Sequence, residues 1–175
     1  MKLKRKLSEE VQNSRLKFIK HFSENYSQAL PPLWMLVEIT TFGTLSKIYS
    51  LNNNSLVKKA IAKNYHINTH QIFSSWLWIL SIIRNKCAHH AKIWDEDYTL
   101  KHLIPNNLPK KYKECFNKET KKIYSLLIII DYLVSIIDPE NKWKEKLKDL
   151  IERYEIDVNQ MGFDKNWKED SFFNC

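Results

Sequence analysis

Ile72-Phe73-Ser74-Ser75-Trp76-Leu77-Trp78-Ile79-Leu80-Ser81-Ile82-Ile83 runs directly into Arg84-Asn85-Lys86-Cys87-Ala88-His89-His90. In the first part Ile72, Trp76, Ile79 and Ile83 recur at intervals of four, three and four, with Phe73, Leu77 and Leu80 alongside. That is the period of a buried α-helix, and Asn68 or Thr69 stands where its cap belongs. In the second part the apolar pattern stops and the densest group of functional side chains in the chain begins. A helix buried on most sides holds such a group at fixed orientations, which suits catalysis better than a free tail does.

Working outward, the rest of the chain also reads as helical. It has 175 residues but only two glycines, Gly43 and Gly162, whereas β-rich and doubly wound folds need more for their turns and phosphate loops. Ser8 is placed to cap a helix over 8–27 in which Val11, Leu16, Ile19 and Phe22 share a face, with Glu9 and Glu10 in its first turn. Pro31 and Pro32 stop it and open a second helix, from Pro32 to Leu51. Its segment Leu33-Trp34-Met35-Leu36-Val37-Glu38-Ile39 is apolar nearly all round and is expected to lie centrally, with Gly43 at a mid-helix close contact. Ser55 caps a short helix ending near Tyr65, with Leu56, Ala60 and Ile61 on its inner side.

Beyond the quoted stretch, 95–110 reads as a surface loop with Pro105 and Pro109. Asn117 to Ile137 reads as a second buried helix, ended by Asp138-Pro139. Then 140–154 is amphipathic through Trp143, Leu147, Leu150 and Ile151, and 155–175 is an irregular tail. With no repeat, heptad run or low-complexity tract, the expectation is one all-α bundle spanning 1–175.

Charge and cysteine usage narrow the setting. Lysine and arginine number 28 against 20 acidic residues, a net charge of +8 that makes polyanions plausible ligands. Cys87, Cys115 and Cys175 are odd in number and widely spaced, without a Cys-x-x-Cys pair, as in a reducing cytosol. The basic start, Met1 to Lys6, leads into Ser8, Glu9, Glu10, Gln12 and Asn13 and not into the apolar core of a signal peptide. Serines and Asp131 interrupt the apolar stretches before they reach the roughly 20 residues of a bilayer span. A cytoplasmic protein without membrane attachment is expected.

Metal-free RNA scission needs a base for the 2′-hydroxyl proton, an acid for the leaving oxygen and cations for the phosphorane. Histidine serves both proton transfers and an arginine fork grips phosphate, so the group at 84–90 fits that chemistry. On an ideal helix Asn85 and His89 share a face, while Arg84 and His89 lie about 140° apart. One copy therefore closes poorly on itself, and two copies paired about a twofold axis would set the arginine of one against the histidine of the other. Two other readings stand beside this one. The histidines could cap terminal helix carbonyls, with Arg84 and Lys86 as last-turn cations, or Cys87, His89 and His90 could ligate a metal with His66 or His70. Glu38 could orient Arg84 or a histidine, and Trp34, Trp76, Trp78 and Trp94 are more readily core than base-stacking residues.

The string Ser81 to His90, followed by Trp94-Asp95, resembles the signature of the Abi-like family of abortive-infection proteins, which includes the AbiD and AbiF types. Upstream, Leu33 to Glu38 with Phe42-Gly43-Thr44-Leu45-Ser46 is similar to the same family. So are Pro139, Trp143 and Met161-Gly162-Phe163 downstream, and the resemblance covers most of the chain. An arginine and a histidine a few residues apart are common by chance, whereas three blocks in this order are specific. Family members usually carry more chain before the Leu33 block than the roughly thirty residues found here, as a short variant or a fragment would show.

The resemblance implies the HEPN superfamily: a HEPN-like helical bundle with additional helices and its active site at a dimer interface. It implies a metal-independent endoribonuclease of phage defence, or a toxin, leaving 2′,3′-cyclic phosphate ends and needing no cofactor. Arg84 and His89 would be the catalytic pair, Asn85 the orienting polar residue, His90 an auxiliary and Glu38 the family's acidic position. Lys86 and Lys92 are the flanking cations for RNA. The partners implied are an RNA substrate, a second copy of the chain and an inhibitory RNA or protein antitoxin. A non-catalytic RNA-binding or antitoxin-like module using the same basic cleft is the alternative.

Overall fold

The computed structural model describes residues 2–98, 104–116 and 121–173. Among them every regular element is helical: α1 (Lys2–Asn13), α2 (Lys17–Asn25), α3 (Leu33–Ile39), α4 (Phe42–Leu51), α5 (Ser55–Asn64), α6 (His70–Ala88), α7 (Lys110–Phe116), α8 (Tyr124–Ile137), α9 (Trp143–Arg153), α10 (Val158–Met161) and a 3-10 turn over Trp167–Glu169. The all-α class expected from the sequence is thus what is found. The chain divides into two units, Met1–Asn53 and Asn54–Cys175.

The first unit gathers Leu7 and Val11 of α1, Ile19 and Phe22 of α2, and Met35 and Leu36 of α3 into one core. Where one helix over 8–27 was expected there are two. Leu3 continues the Leu7–Val11 stripe toward the amino end, so α1 starts at Lys2 and Ser8 lies inside it, not at its cap. The helix then stops at Asn13 and Ser14, residues whose side chains compete for backbone bonds. The Ser14 hydroxyl accepts from the Leu16 amide at 3.4 Å, and Leu16 is extended. The expected helix from Pro32 to Leu51 is also two. Thr40 and Thr41 are extended, and the Thr41 hydroxyl accepts from the Thr44 amide at 3.2 Å as the N-cap of α4. Gly43 is therefore in the first turn of α4 and not in mid-helix. The central placement expected of 33–39 does not hold either. A helix of seven residues turns one face inward, so Met35 and Leu36 are buried while Leu33, Trp34, Val37 and Glu38 are exposed.

In the second unit the cap of α5 is Asn54, one residue before the expected Ser55, its Oδ1 accepting from the Leu56 and Val57 amides at 3.0 and 3.2 Å. Ala62 is the inner residue, and Leu56, Ala60 and Ile61 face outward, contrary to the sequence reading. Helix α6 follows the quoted period: Ile72, Phe73, Trp76, Ile79 and Ile83 are buried, Trp76 completely. Trp76 meets Tyr132 of α8 edge-on at 5.6 Å, and Tyr132 meets Tyr112 of α7 at 5.1 Å. Helix α8 is buried on nearly all sides. Its Asp131 is partnered by the Tyr112 hydroxyl at 3.1 Å and by Lys144 of α9 at 3.2 Å, as a buried carboxylate must be. Serines enter the apolar helices by donating to carbonyls three residues back, Ser81 to Trp78 at 2.7 Å and Ser135 to Tyr132 at 2.8 Å.

The expected loop at 95–110 is largely irregular where described, but Tyr98, Pro105 and Leu108 are buried in it, and 99–103 lie outside the described residues. The expected helix start at Asn117 also lies outside them. Residues 155–173 are mostly turns, yet packed: Phe163 and Phe172 contact Tyr124 at 4.6 and 6.0 Å, and the Tyr124 hydroxyl donates to Asp170 at 2.9 Å. Burial, foremost, pushes that hydroxyl well above the ordinary tyrosine range. No helix among the described residues is long and apolar enough to cross a membrane.

Scarce glycine leaves a mark on the helix ends. Helix α5 ends with Ile67 N–H donating to Ala62 O at 3.0 Å and His66 N–H to Lys63 O at 2.9 Å, with His66 left-handed at φ 52°. Glycine normally fills that position, since a Cβ there costs about 1–2 kcal/mol. His66→Gly is expected to raise stability by about 1 kcal/mol and His66→Val to lower it. Urea midpoints at constant m-value measure both.

Candidate functional site

Helix α6 delivers its motif on a shaft fixed by Trp76 and Ile83, and the helix ends as Ile83 gives way to polar residues. Arg84, Asn85, Cys87, His89 and His90 are all exposed and Lys86 is half-buried. The end is closed by backbone alone: His89 N–H donates to Asn85 O at 3.0 Å, His90 N–H to Cys87 O at 3.1 Å, and Ala91 N–H to Lys86 O at 2.9 Å. This is the Schellman arrangement, with His90 left-handed at φ 53° in the position glycine prefers. On the alternative reading the imidazoles would cap terminal carbonyls, but Asn85 O, Lys86 O and Cys87 O are taken by these amides. Neither imidazole is hydrogen-bonded among the described residues, so both are available for other chemistry.

Arg84 Nη1 donates to Asn85 Oδ1 at 3.3 Å, joining two of the expected site residues. Arg84 makes no ion pair among the described residues. Lys86 and Lys92 differ from it. Lys86 pairs with Glu96 and its ammonium lies over the Tyr98 ring, 5.6 Å from the centroid. Lys92 pairs with Asp95 at 2.5 Å and lies over Trp94 at 5.1 Å.

A strap over 93–98 thus folds back on the helix end. Its anchor is Tyr98, whose hydroxyl donates to Ile93 O at 2.9 Å and whose amide donates to Lys121 O at 2.6 Å. Lys122 holds the strap from the other side, pairing with Asp97 at 2.8 Å and donating to Asp95 O at 3.0 Å. The hydrogen bond from Lys122, then its charge, keeps the Asp97 carboxyl below the usual range. Burial, then the charges of Glu96, Cys87 and Asp95, pushes the Tyr98 hydroxyl up to about 12, so it stays a neutral donor.

Three further findings concern residues singled out in the sequence. Glu38 is exposed in the first unit, lining a groove with Lys6, Glu9, Glu10 and Asn13. No group of three or more His, Cys, Asp or Glu among the described residues could hold a metal ion, so Cys87, His89 and His90 do not converge with His66 or His70. Of the four tryptophans expected in the core only Trp76 is there; Trp34, Trp78 and Trp94 are exposed. Sequence reasoning missed Glu96 and Tyr98 altogether. The available signal was Asp95-Glu96-Asp97, an acidic run directly after a basic motif.

A family model described as Abi-like protein matches residues 1–95, more than half of the chain, taking in the first unit and the whole of the α6 motif. The blocks at Pro139, Trp143 and Met161-Gly162-Phe163 lie beyond the matched span. No curated protein matches the chain, and no solved structure does.

Tyr98→Phe is expected to loosen the strap by about 1 kcal/mol, the worth of one hydrogen bond. Amide exchange over 93–98 should quicken while α6 keeps its protection; equal quickening in both would show that the strap is not a separate unit.

Proposed function

The chain belongs to the Abi-like protein family, and from that premise we propose that it is a metal-independent endoribonuclease of the HEPN type acting in abortive infection. One observation carries the proposal: the end of a buried, rigid helix presents a guanidinium, an amide and two imidazoles to solvent, with both imidazoles uncommitted.

In the proposed reaction one imidazole takes the proton of an RNA 2′-hydroxyl. The freed oxygen then forms a bond to the adjacent phosphorus. The bond from phosphorus to the 5′-oxygen breaks, and a protonated imidazole supplies that oxygen with its proton, leaving a 2′,3′-cyclic phosphate and a 5′-hydroxyl. Arg84 steadies the charge on the phosphorane, and Asn85, which accepts from Arg84, orients the guanidinium. His89 is assigned to proton transfer with His90 as auxiliary.

Because Arg84 and His89 diverge around the helix axis, the complete site is proposed to need a second copy. Trp78, Ile82, Asn85 and His89 fall at intervals of four, three and four along α6, and all but the half-buried Ile82 are exposed. That stripe suits packing of α6 against α6. Lys86 and Lys92 would bind flanking phosphates by exchanging Glu96 and Asp95 for them. Such partly exposed pairs are worth only about 0–1 kcal/mol each, so phosphate can displace them.

His89→Ala and Arg84→Ala are expected to abolish cleavage of single-stranded RNA in EDTA, with the melting temperature and oligomeric state unchanged. An inert wild type that still binds RNA would support the non-catalytic binding module instead. Glu96→Gln should move the other way, tightening RNA binding a few-fold, the equivalent of about 0.5–1 kcal/mol, as measured by fluorescence anisotropy. Weaker binding by that variant would mean that Glu96 holds the site open and does not occupy it.

A further inference from the structure

The first unit carries a second basic surface, far in sequence from the α6 motif. A groove of about 600 Å³ runs between α1 and α4, lined by Lys2, Arg5 and Lys6 from α1 and Lys47 from α4, with Glu9 its one acidic residue and Leu51 exposed at its edge. Arg5 and Lys6 follow Lys2 by three and four residues, so both flank it one turn further along α1. All four cations are exposed.

The groove is set in a fixed frame. Thr44 of α4 is fully buried and its hydroxyl donates to Glu10 of α1 at 3.1 Å, while Lys6 approaches the same carboxylate oxygen at 3.7 Å. The two helices are thereby tied together at the groove. Arg5 is 3.5 Å from Glu9 with both side chains well exposed, a contact that water and salt weaken and that another anion can replace.

Three kinds of polyanion could use such a surface, and the observations separate them. A basic amphipathic helix binds a membrane by burying its apolar face among lipids. Here that face is already used: Leu7 and Val11 are core residues and Leu3 packs against that core. An acidic protein partner would call for more apolar surface than Leu51 and Leu3 provide at the groove. A cluster of exposed cations, three on α1 and one on α4, suits a phosphodiester chain, which gains from each by releasing counterions.

We propose that the α1–α4 groove binds the backbone of single-stranded RNA, independently of base sequence, as an accessory site that holds the substrate chain. The proposal rests on RNA being the ligand of this protein, and it adds a contact that the α6 motif does not supply.

The test is anisotropy of a labelled single-stranded RNA oligonucleotide over a salt series, using full-length His89→Ala protein in EDTA so that no cleavage intervenes. Adding Arg5→Ala and Lys47→Ala should weaken binding about tenfold and lower the slope of log K against log salt by about 1.4, since each phosphate contact contributes roughly 0.7. Lys63→Ala with Lys146→Ala removes the same charge elsewhere and should change neither quantity comparably. Equal losses in the two variants would reduce the effect to net charge, and no loss in the groove variant would overturn the site outright. Loss of binding to phosphatidylserine vesicles without loss of RNA binding would make it a membrane site, and loss of binding to an acidic protein alone would make it a protein site. If Arg5→Ala melts early, Lys2→Gln with Lys47→Gln leaves both α1 ion pairs in place and gives the same reading. Failure of the nuclease reading would appear as an inert wild type with this binding intact. Failure of the groove would appear as unchanged binding in a protein that still cleaves.

Discussion

The edge-on contact between Trp76 and Tyr132 is the constraint on which the second unit depends. Trp76 is completely buried, and Tyr132 joins it to Tyr112 on α7 and donates its hydroxyl to Tyr65 O at 3.0 Å, beyond the end of α5. One aromatic junction thus holds α6 against α8, α7 and the end of α5. Truncating such a tryptophan would cost about 3–5 kcal/mol, a large share of the stability of a domain this size. The consequence for the motif is orientation. A helix fixed about three turns before its end, and again at the buried Ile83, can rotate little, so the side chains at 84–90 inherit the precision of the core without being in it.

The same helix end shows how its terminus is closed without spending functional side chains. Three backbone amides satisfy the last carbonyls of α6, and the left-handed turn they require falls on His90. A glycine there would relax the backbone but would remove an imidazole from the site. Strain of this order is retained only where surrounding structure enforces it. Here the strap performs that function from both sides of the turn, Glu96 pairing with Lys86 before it, and Asp95 with Lys92 and the Tyr98 hydroxyl with Ile93 O after it. At His66 and Glu155 the same turn occurs without any part in the motif. A left-handed residue at a helix end is thus not peculiar to the motif, and His90 draws its significance from its position, not its dihedral.

The core of α6 was legible in the sequence because Ile72, Trp76, Ile79 and Ile83 repeat at a period that only a helix satisfies. Helix breaks were not, since Ser14 and Thr40-Thr41 interrupt the backbone without interrupting the apolar pattern; Val11 and Ile19 remain on one core from two helices. The cap of α5 lies one residue earlier than expected because Asn54 and Ser55 are both good caps. At the site, the exposure of Arg84, Asn85 and His89 followed from the end of the apolar run. The pairing of Lys86 with Glu96 did not, because ten residues and a reversal of direction separate them. Trp34 and Trp78 misled for a simpler reason: helical spacing says which residues share a face, not whether anything covers it.

Net charge is a poor guide to where this protein is positive. The +8 of the whole chain suggests a basic cleft at the motif, yet Lys86 and Lys92 are both neutralised by the strap that follows them. Arg84 remains as the unpaired cation of the motif among the described residues. A single small anion would therefore gain one guanidinium contact there, or would have to displace a carboxylate of the strap, whose backbone Tyr98 and Lys122 hold, to gain more. A chain of phosphates is in a different position, because each displaced carboxylate is exchanged for a contact already tethered to the first, and tethered contacts cost far less entropy than independent ones. On the proposed reading the acidic strap raises the threshold for weak, monovalent ligands while leaving a polymer able to cross it.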